Sequence, residues 1–152
     1  MKIKSDLVEV HLFRLDNNEL QFLLLKRSAH KIYPGLWQMV SGHIKKGETA
    51  VQTALRELKE ETGLKPSRLW VAPNVNSFYS PDDDSITIIP VFAAQIKYDK
   101  IQISDEHSEF KWVNSEEAKT FLAWEGQRRS VDIIKEYFTN QMSFLKFTEI
   151  NL

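Results

Sequence analysis

Apolar residues occur in short dense runs, and the spacing inside each run distinguishes strand from helix. Residues 6–15 (D-L-V-E-V-H-L-F-R-L) alternate in part and predict a strand. Asp16-Asn17-Asn18 follows as a turn, because Asn and Asp tolerate positive φ. Residues 20–26 (L-Q-F-L-L-L-K) are nearly continuously apolar, as in a strand buried on both faces, and complete a hairpin. Pro34-Gly35 marks residues 28–36 as a loop. A short strand is expected over 37–40, ending at Ser41-Gly42. Thr49-x-x-Gln52 is a capping-box pattern opening a helix, and Gly63 is placed to end it.

Further on, residues 69–79 are expected to be extended and residues 81–84 (P-D-D-D) to turn. Residues 85–96 predict a strand in which Pro90 implies a bulge or a sheet edge. Residues 110–113 predict another strand, and Asn114 with Glu117 resembles a helix start. Val131, Ile134, Tyr137 and Phe138 are helically spaced within 127–138. The last dozen residues show no decisive period. The order of elements predicts a mixed-sheet α/β sandwich rather than a doubly wound sheet. With 152 residues, no repeat and no linker signal, a single domain over 1–152 is expected.

Composition narrows the chemistry. The absence of cysteine excludes disulfides, thiolate metal sites and a cysteine nucleophile within this sequence. Twenty basic residues against twenty-one acidic ones give no charged track for a long nucleic acid. No apolar run reaches the roughly 20 residues that span a bilayer. The expectation is a soluble, cytoplasmic protein with no membrane partner.

The predicted helix over 49–63 carries an unusual choice. At about 100° per residue, Glu57, Glu60 and Glu61 share one face, while Val51, Ala54, Leu55 and Leu58 form the packing face. Like charges at these spacings repel, and they stand toward the helix C-terminus, where the dipole also disfavours them. Arg56 cannot neutralise three carboxylates. A hard divalent cation can, since Mg²⁺ and Mn²⁺ prefer carboxylate and water oxygens.

The surrounding residues make the pattern specific. Gly42, then Glu48, Arg56-Glu57, Leu58, Glu60-Glu61, Gly63 and Leu64 (G-H-I-K-K-G-E-T-A-V-Q-T-A-L-R-E-L-K-E-E-T-G-L, 42–64) resemble the Nudix box at every defining position. The resemblance implies an α/β/α sandwich that hydrolyses a nucleoside diphosphate linked to another group. It implies that Glu57, Glu60 and Glu61, with the Gly42 carbonyl, bind Mg²⁺, with Mn²⁺ as a substitute. Arg56 would orient a box carboxylate, Glu48 would support from outside, and Gly63 would end the helix. Lys45, Lys46 and Lys59 have no assigned role. The family often uses a further carboxylate as ligand or base, and Glu106 in Asp105-Glu106-His107 is the candidate, with His107 as a structural hydrogen-bonding residue.

Likeness outside the box is looser. Trp37-Gln38, Glu106-His107, Lys111-Trp112 and the Trp124/Arg128 spacing, with Arg129 beside it, resemble the pyrophosphohydrolases of deoxynucleoside and dihydroneopterin triphosphates. This makes a small nucleotide the expected partner, cut to monophosphate and pyrophosphate. Lys26 and Arg27 are candidates for phosphate, and Trp37 and Tyr79 for ring stacking, with Tyr33 and Phe78 as further stacking candidates. The alternatives are a dinucleoside polyphosphate hydrolase, for which Tyr79 falls just short of the usual tyrosine offset, and an ADP-sugar hydrolase, for which Pro81 is near but its context differs. A non-catalytic nucleotide-binding module is disfavoured because every box glutamate is present. Several members of the family are dimers, so a homodimer is compatible with the resemblance.

Overall fold

The computed structural model describes residues 1–97 and 100–152. The elements run β1 (Lys2–Lys4), β2 (Leu7–Asp16), β3 (Glu19–Arg27), β4 (Trp37–Gln38), β5 (Val40–His43), α1 (Ala50–Thr62) and β6 (Arg68–Ser80). They continue with β7 (Ser85–Gln95), β8 (His107–Asn114), α2 (Ser115–Phe121), α3 (Glu125–Thr139) and β9 (Thr148–Ile150). The strands form one mixed sheet with β4-β3-β2-β7-β6-β9 as its main path.

Each face of the sheet has its own apolar layer. On one side Ala54 and Leu58 of α1 pack with Val8, Val10, Leu12, Leu23, Leu25, Leu69 and Phe92. On the other, α2 and α3 bring Ala118, Leu122, Val131 and Ile134 onto Phe13, Phe22, Leu24, Trp70 and Val91. This is the expected α/β/α sandwich. Complete burial of Leu58 alone contributes about 1.5–3 kcal/mol and holds α1 flat on the sheet. No helix among the described residues is long and apolar enough to cross a membrane.

The feature that positions the site is a split between β2 and β3. These strands pair as a hairpin only over 13–16 and 19–22, turning through Asn17 and Asn18 at φ 49° and 63°. Beyond that they diverge, and the chain from 37 to 43 fills the wedge. β4 pairs with β3, and β5 pairs with β2. The single strand expected over 37–40 is therefore two, changing partner at Met39, and Ser41-Gly42 lies inside β5 rather than at a strand end.

Pro90 does mark an irregularity, since β6 shifts register between Val71 and Val75, where Val75 meets Pro90. The sheet-edge alternative fails. β7 is flanked by β6 on one side and by β1 and then β2 on the other. Pro90 stands between those last two ladders, where a residue without N–H is tolerated. The sequence pattern also passed over β1, parallel to β7, and β9, which covers the β6 edge. Each has three residues, too few to show a period.

His11, on the α3 side of β2, is buried with its Nε2 unpartnered. Desolvation lowers its pKa to about 3. The folded state thus holds His11 neutral, whereas an unfolded histidine titrates near 6.5. Its contribution to stability is complete above that pH and is lost as pH falls toward 3. In denaturant titrations between pH 6 and 4, His11→Leu should lose stability less steeply than the native chain, by up to about 1.4 kcal/mol per pH unit. Equal slopes would remove His11 as a cause.

Candidate active site

Helix α1 begins with the capping box that the sequence indicates. Thr49 accepts from the Gln52 N–H and the Gln52 side chain accepts from the Thr49 N–H. Gly63, at φ 73°, closes the helix, and Lys59 Nζ donates to the Gly63 carbonyl at 2.9 Å. Lys45 and Lys46 are exposed.

Arg56 organises the acidic face. Nε and Nη2 grip Glu48 at 2.6 and 2.9 Å, and Nη1 donates to Glu57 at 2.7 Å and Glu60 at 3.2 Å. Nη2 also donates to the His43 carbonyl at 3.0 Å. These contacts match the five N–H donors of a guanidinium, which a lysine cannot supply. Glu48 receives further hydrogen bonds from the Thr53 hydroxyl at 2.7 Å and the Lys45 N–H at 3.2 Å. Its pKa is lowered to about 2, chiefly by Arg56 and then by Thr53. Glu48 is thus spent on fixing Arg56 and the loop before the helix.

Glu57 lies against Gly42, where a Cβ would collide with the carboxylate. Desolvation, opposed by Arg56, raises its pKa. Glu60 is about half exposed. Glu61 is the surprise. The helix pattern places it on a solvent-facing acidic face, yet it is 2% exposed. Its carboxylate accepts only the Ser41 N–H, at 3.2 Å, among the hydrogen bonds of the described residues. Burial, and then the Glu57 and Glu106 charges, push its pKa well above the ordinary carboxylate value.

Glu106 reaches this place on a loop fastened at both ends. Gln102 N–H donates to the Thr62 carbonyl at the end of α1. Ser28 binds the loop through its N–H to the Glu106 carbonyl and its hydroxyl to the Asp105 carbonyl. One ligand atom from each of Glu61, Glu106 and His107 falls within 4.8 Å of the others.

His107 is buried and its pKa is lowered to about 4, by desolvation first and then by Arg27 and Lys31. Arg27 Nη1 faces the Gln38 carbonyl oxygen at 3.5 Å. That orientation directs the Gln38 amide N–H into His107 Nε2 at 2.8 Å. The Nε2 lone pair is thereby used, which suits a positioning role for His107 and leaves carboxylates as the convergent donors. Hard oxygen donors, desolvated and mutually repelling, fit Mg²⁺ or Mn²⁺.

The softer candidates separate. Arg27 acts electrostatically on Glu61 and donates Nε to the Ile32 carbonyl at 2.6 Å. Lys26 is paired with Glu109 at 2.9 Å. The Trp37 ring is taken up by Lys111, 4.3 Å from its centroid, and by the edge of Phe121. It packs under α2 rather than offering a free face. Tyr79 is exposed near the end of β6, with its hydroxyl on Asp84 at 3.2 Å, outside the carboxylate cluster. Phe78 is exposed on the same strand. Tyr33 and Trp124 are exposed and meet edge to face at 5.5 Å. Arg128 caps the Leu122 carbonyl at 2.8 Å, and Arg129 is exposed.

The NUDIX domain model matches residues 7–135, the span that contains all of these groups. The chain belongs to the Nudix family. It is 33% identical over 108 residues to the asymmetrical bis(5'-nucleosyl)-tetraphosphatase of Mus musculus, covering 69% of this chain and 71% of that protein. It is 26% identical over 116 residues to the nucleoside triphosphatase NudI of Klebsiella pneumoniae, covering 70% and 82%. A NUDIX hydrolase structure from Listeria monocytogenes superposes with a TM-score of 0.78 at 25% identity, covering 94% of this chain and 99% of that one. This chain is therefore a Nudix hydrolase, a pyrophosphohydrolase by class.

Several site contributors were not singled out from the sequence. Ser41 acts through its backbone, and Thr53 through a hydroxyl on the inner side of α1; neither leaves a spacing signal.

Arg56→Lys should leave Glu48 and Glu57 without their shared donor. Turnover is expected to fall about 10–100-fold, the usual effect of losing a partner that orients metal ligands. Steady-state rates per folded molecule, counted by active-site titration or circular dichroism, test this. Unchanged rates with a lowered melting temperature would reduce Arg56 to a structural tie.

Proposed function

We propose that this Nudix hydrolase cleaves a phosphoanhydride bond of a nucleoside polyphosphate, with a nucleoside or related pterin triphosphate as substrate and monophosphate and pyrophosphate as products. The observation that carries the reading is the convergence of Glu57, Glu61 and Glu106. Their mutual repulsion is a cost that a cationic guest relieves. Glu57, Glu60, Glu61 and the Gly42 carbonyl would hold Mg²⁺ or Mn²⁺. When bound, a divalent cation supplies charge neutralisation at the phosphate oxygens and acidifies a water.

The chain's own groups do the positioning. Arg56 fixes Glu57 and Glu60, the Ser41 N–H aims Glu61, and the fastened loop presents Glu106, half exposed, to take the proton of the attacking water. Arg27 stands on the same side as a phosphate-facing cation. Water oxygen forms the new bond to phosphorus, the anhydride oxygen leaves with the departing phosphate, and the proton passes out through Glu106. The triphosphate choice is supported by Glu106-His107 and Lys111-Trp112 and by the similarity to the nucleoside triphosphatase NudI. A second reading, unequal cleavage of a dinucleoside tetraphosphate, is favoured by the mouse relative. The cytoplasm is the proposed compartment, a single domain over 1–152 the proposed organisation, and a homodimer is one proposed state.

Glu61→Gln should lower turnover by orders of magnitude while leaving the metal-free protein as stable as before or more stable, because a buried repelled carboxylate is removed. Chelation should abolish activity, and Mg²⁺ or Mn²⁺ should restore it. Rates that survive thorough chelation would sink the metal assignment, as would unchanged turnover in the variant.

Substrate is decided by chromatography of products from nucleoside triphosphates, dihydroneopterin triphosphate, diadenosine tetraphosphate and ADP-ribose with Mg²⁺. Monophosphate plus pyrophosphate is expected. Cleavage of the dinucleotide alone would establish the second reading.

A further inference from the structure

The apolar layer under α1 ends at Phe92 of β7, but the sheet continues. Beyond that residue β6 and β7 run on together as far as Ser80 and Ser85, and β1 pairs with β7 there. Side chains alternate between faces along a strand, so Pro90, Ile88 and Ile86 stand on the same face as Phe92. The register adds Val75 opposite Pro90, Ser77 opposite Ile88, and Tyr79 and Ile3 on either side of Ile86. These residues belong to neither apolar layer of the fold among the described residues. Ile3, Val75, Tyr79 and Ile88 are 72%, 61%, 54% and 38% exposed. Lys2 and Lys4, the charged residues of β1, alternate with Ile3 and take the opposite face.

The solvent face of a hairpin ordinarily carries polar residues. This one carries β-branched and aromatic side chains interrupted only by Ser77. The four exposed residues leave about 400 Å² of apolar surface in one patch, within the size range that marks an interaction site.

Two features of the patch argue for a second copy of this chain as its cover. The first is shape. Ser77 and Ile88 form a middle row across the strands. The row of Ile3, Ile86 and Tyr79 on one side is bulky, and the row of Pro90 and Val75 on the other is small. A two-fold axis along the middle row turns the bulky row of each copy onto the small row of the other, as an isologous contact requires. The second feature is charge. The turn at the far end of the hairpin holds three aspartates. Lys4 answers Asp83, the Met1 amino group answers Asp84, and Asp82 is exposed. At the near end His43 is level with Leu7, and the Ile44 N–H donates to the Asp6 carbonyl. This sets the exposed Lys45 and Lys46 beside the base of the face. The same axis brings the acidic turn of one copy toward the two lysines of the other.

We infer that this face of the β1–β7–β6 extension is the contact between two copies of the chain, packed sheet on sheet about a two-fold axis through Ser77 and Ile88. The two patches bury about 800 Å² of apolar surface, and with the charged rim the total reaches the roughly 1,000 Å² that a specific interface needs. Tyr79 belongs to this contact rather than to a platform for a nucleotide ring, in keeping with its place outside the carboxylate cluster. The inference deepens the proposed homodimer by naming its surface and rests on that reading for the oligomeric state alone, not on the reaction.

Sedimentation velocity of the full chain over a concentration series tests it. Half of the chains should be dimeric at about 10–100 μM, as suits an interface at the low end of the size range. Ser77→Lys sets two like charges against each other at the axis and should weaken the dimer at least about 10-fold. Ser77 is exposed, so circular dichroism should show the fold unchanged. A second variant keeps the question open to test if that one does not fold. The chain has no cysteine, so Ser77→Cys supplies a single thiol, which a short bismaleimide should join to its copy. Gln141→Cys, exposed beyond α3, should stay monomeric under the same treatment.

A dimer that Ser77→Lys weakens and that cross-links through position 77 supports the inference. Monomer alone up to about 500 μM overturns it together with the proposed homodimer. A dimer that Ser77→Lys leaves unchanged and that position 77 does not cross-link overturns this surface and keeps the homodimer. Turnover enters none of these readouts, so a failure of the proposed hydrolysis would leave the result standing.

Discussion

Glu61 is held nearly out of water beside Glu57 and Glu106, with one backbone N–H to answer it. Burying a carboxylate without a cation is costly, and placing two more within its field adds to the cost. The local structure is arranged so that this cannot be relieved by movement. Leu58 and Ala54 press α1 onto the sheet. Gly42 admits the Glu57 side chain where any larger residue would push it away. Arg56 attaches the outer carboxylates to the loop before the helix. Strain of this kind is tolerated at functional sites and offset elsewhere in the fold.

The split between β2 and β3 is what makes the arrangement available. A continuous sheet would present only side chains to α1. Where the strands diverge, the inserted β4–β5 segment exposes backbone groups of Ser41 and side chains of Gln38 to the helix and loop beside them. The hydrogen-bond line Arg27–Gln38–His107 runs through the same wedge and sets the orientation of each amide and ring by its neighbour. The apolar layers on both faces keep the wedge from closing or sliding, because a one-residue slip of β5 would turn Gly42 away from Glu57.

What the sequence disclosed follows from how local each signal is. The capping box, Gly63, the asparagine turn and the amphipathic faces of α1 are properties of neighbouring residues, and they appear where the pattern placed them. The box glutamates were legible because a repelling cluster on one helix face is a local anomaly. The burial of Glu61 was not legible, because it depends on Ser41 and Glu106, twenty and forty-five positions away in the chain. The partner change at Met39 was missed because a strand that switches neighbours keeps an unbroken apolar pattern. Trp37 shows the converse. Its sequence position beside the box suggests a stacking platform, but Lys111 and Phe121 take its ring into the packing of α2.

The two polar anomalies of the structure are coupled by a single strand. β5 contributes a backbone N–H to the carboxylates on one side and faces Glu9 across its ladder on the other. A residue at position 41 that disturbed the strand would therefore displace both. The acidic cluster and the buried Glu9 group therefore share one rigid element instead of lying on separate loops. Groups carried by a paired strand are held to fractions of an ångström, and phosphoryl transfer depends on that tolerance for both alignment and charge.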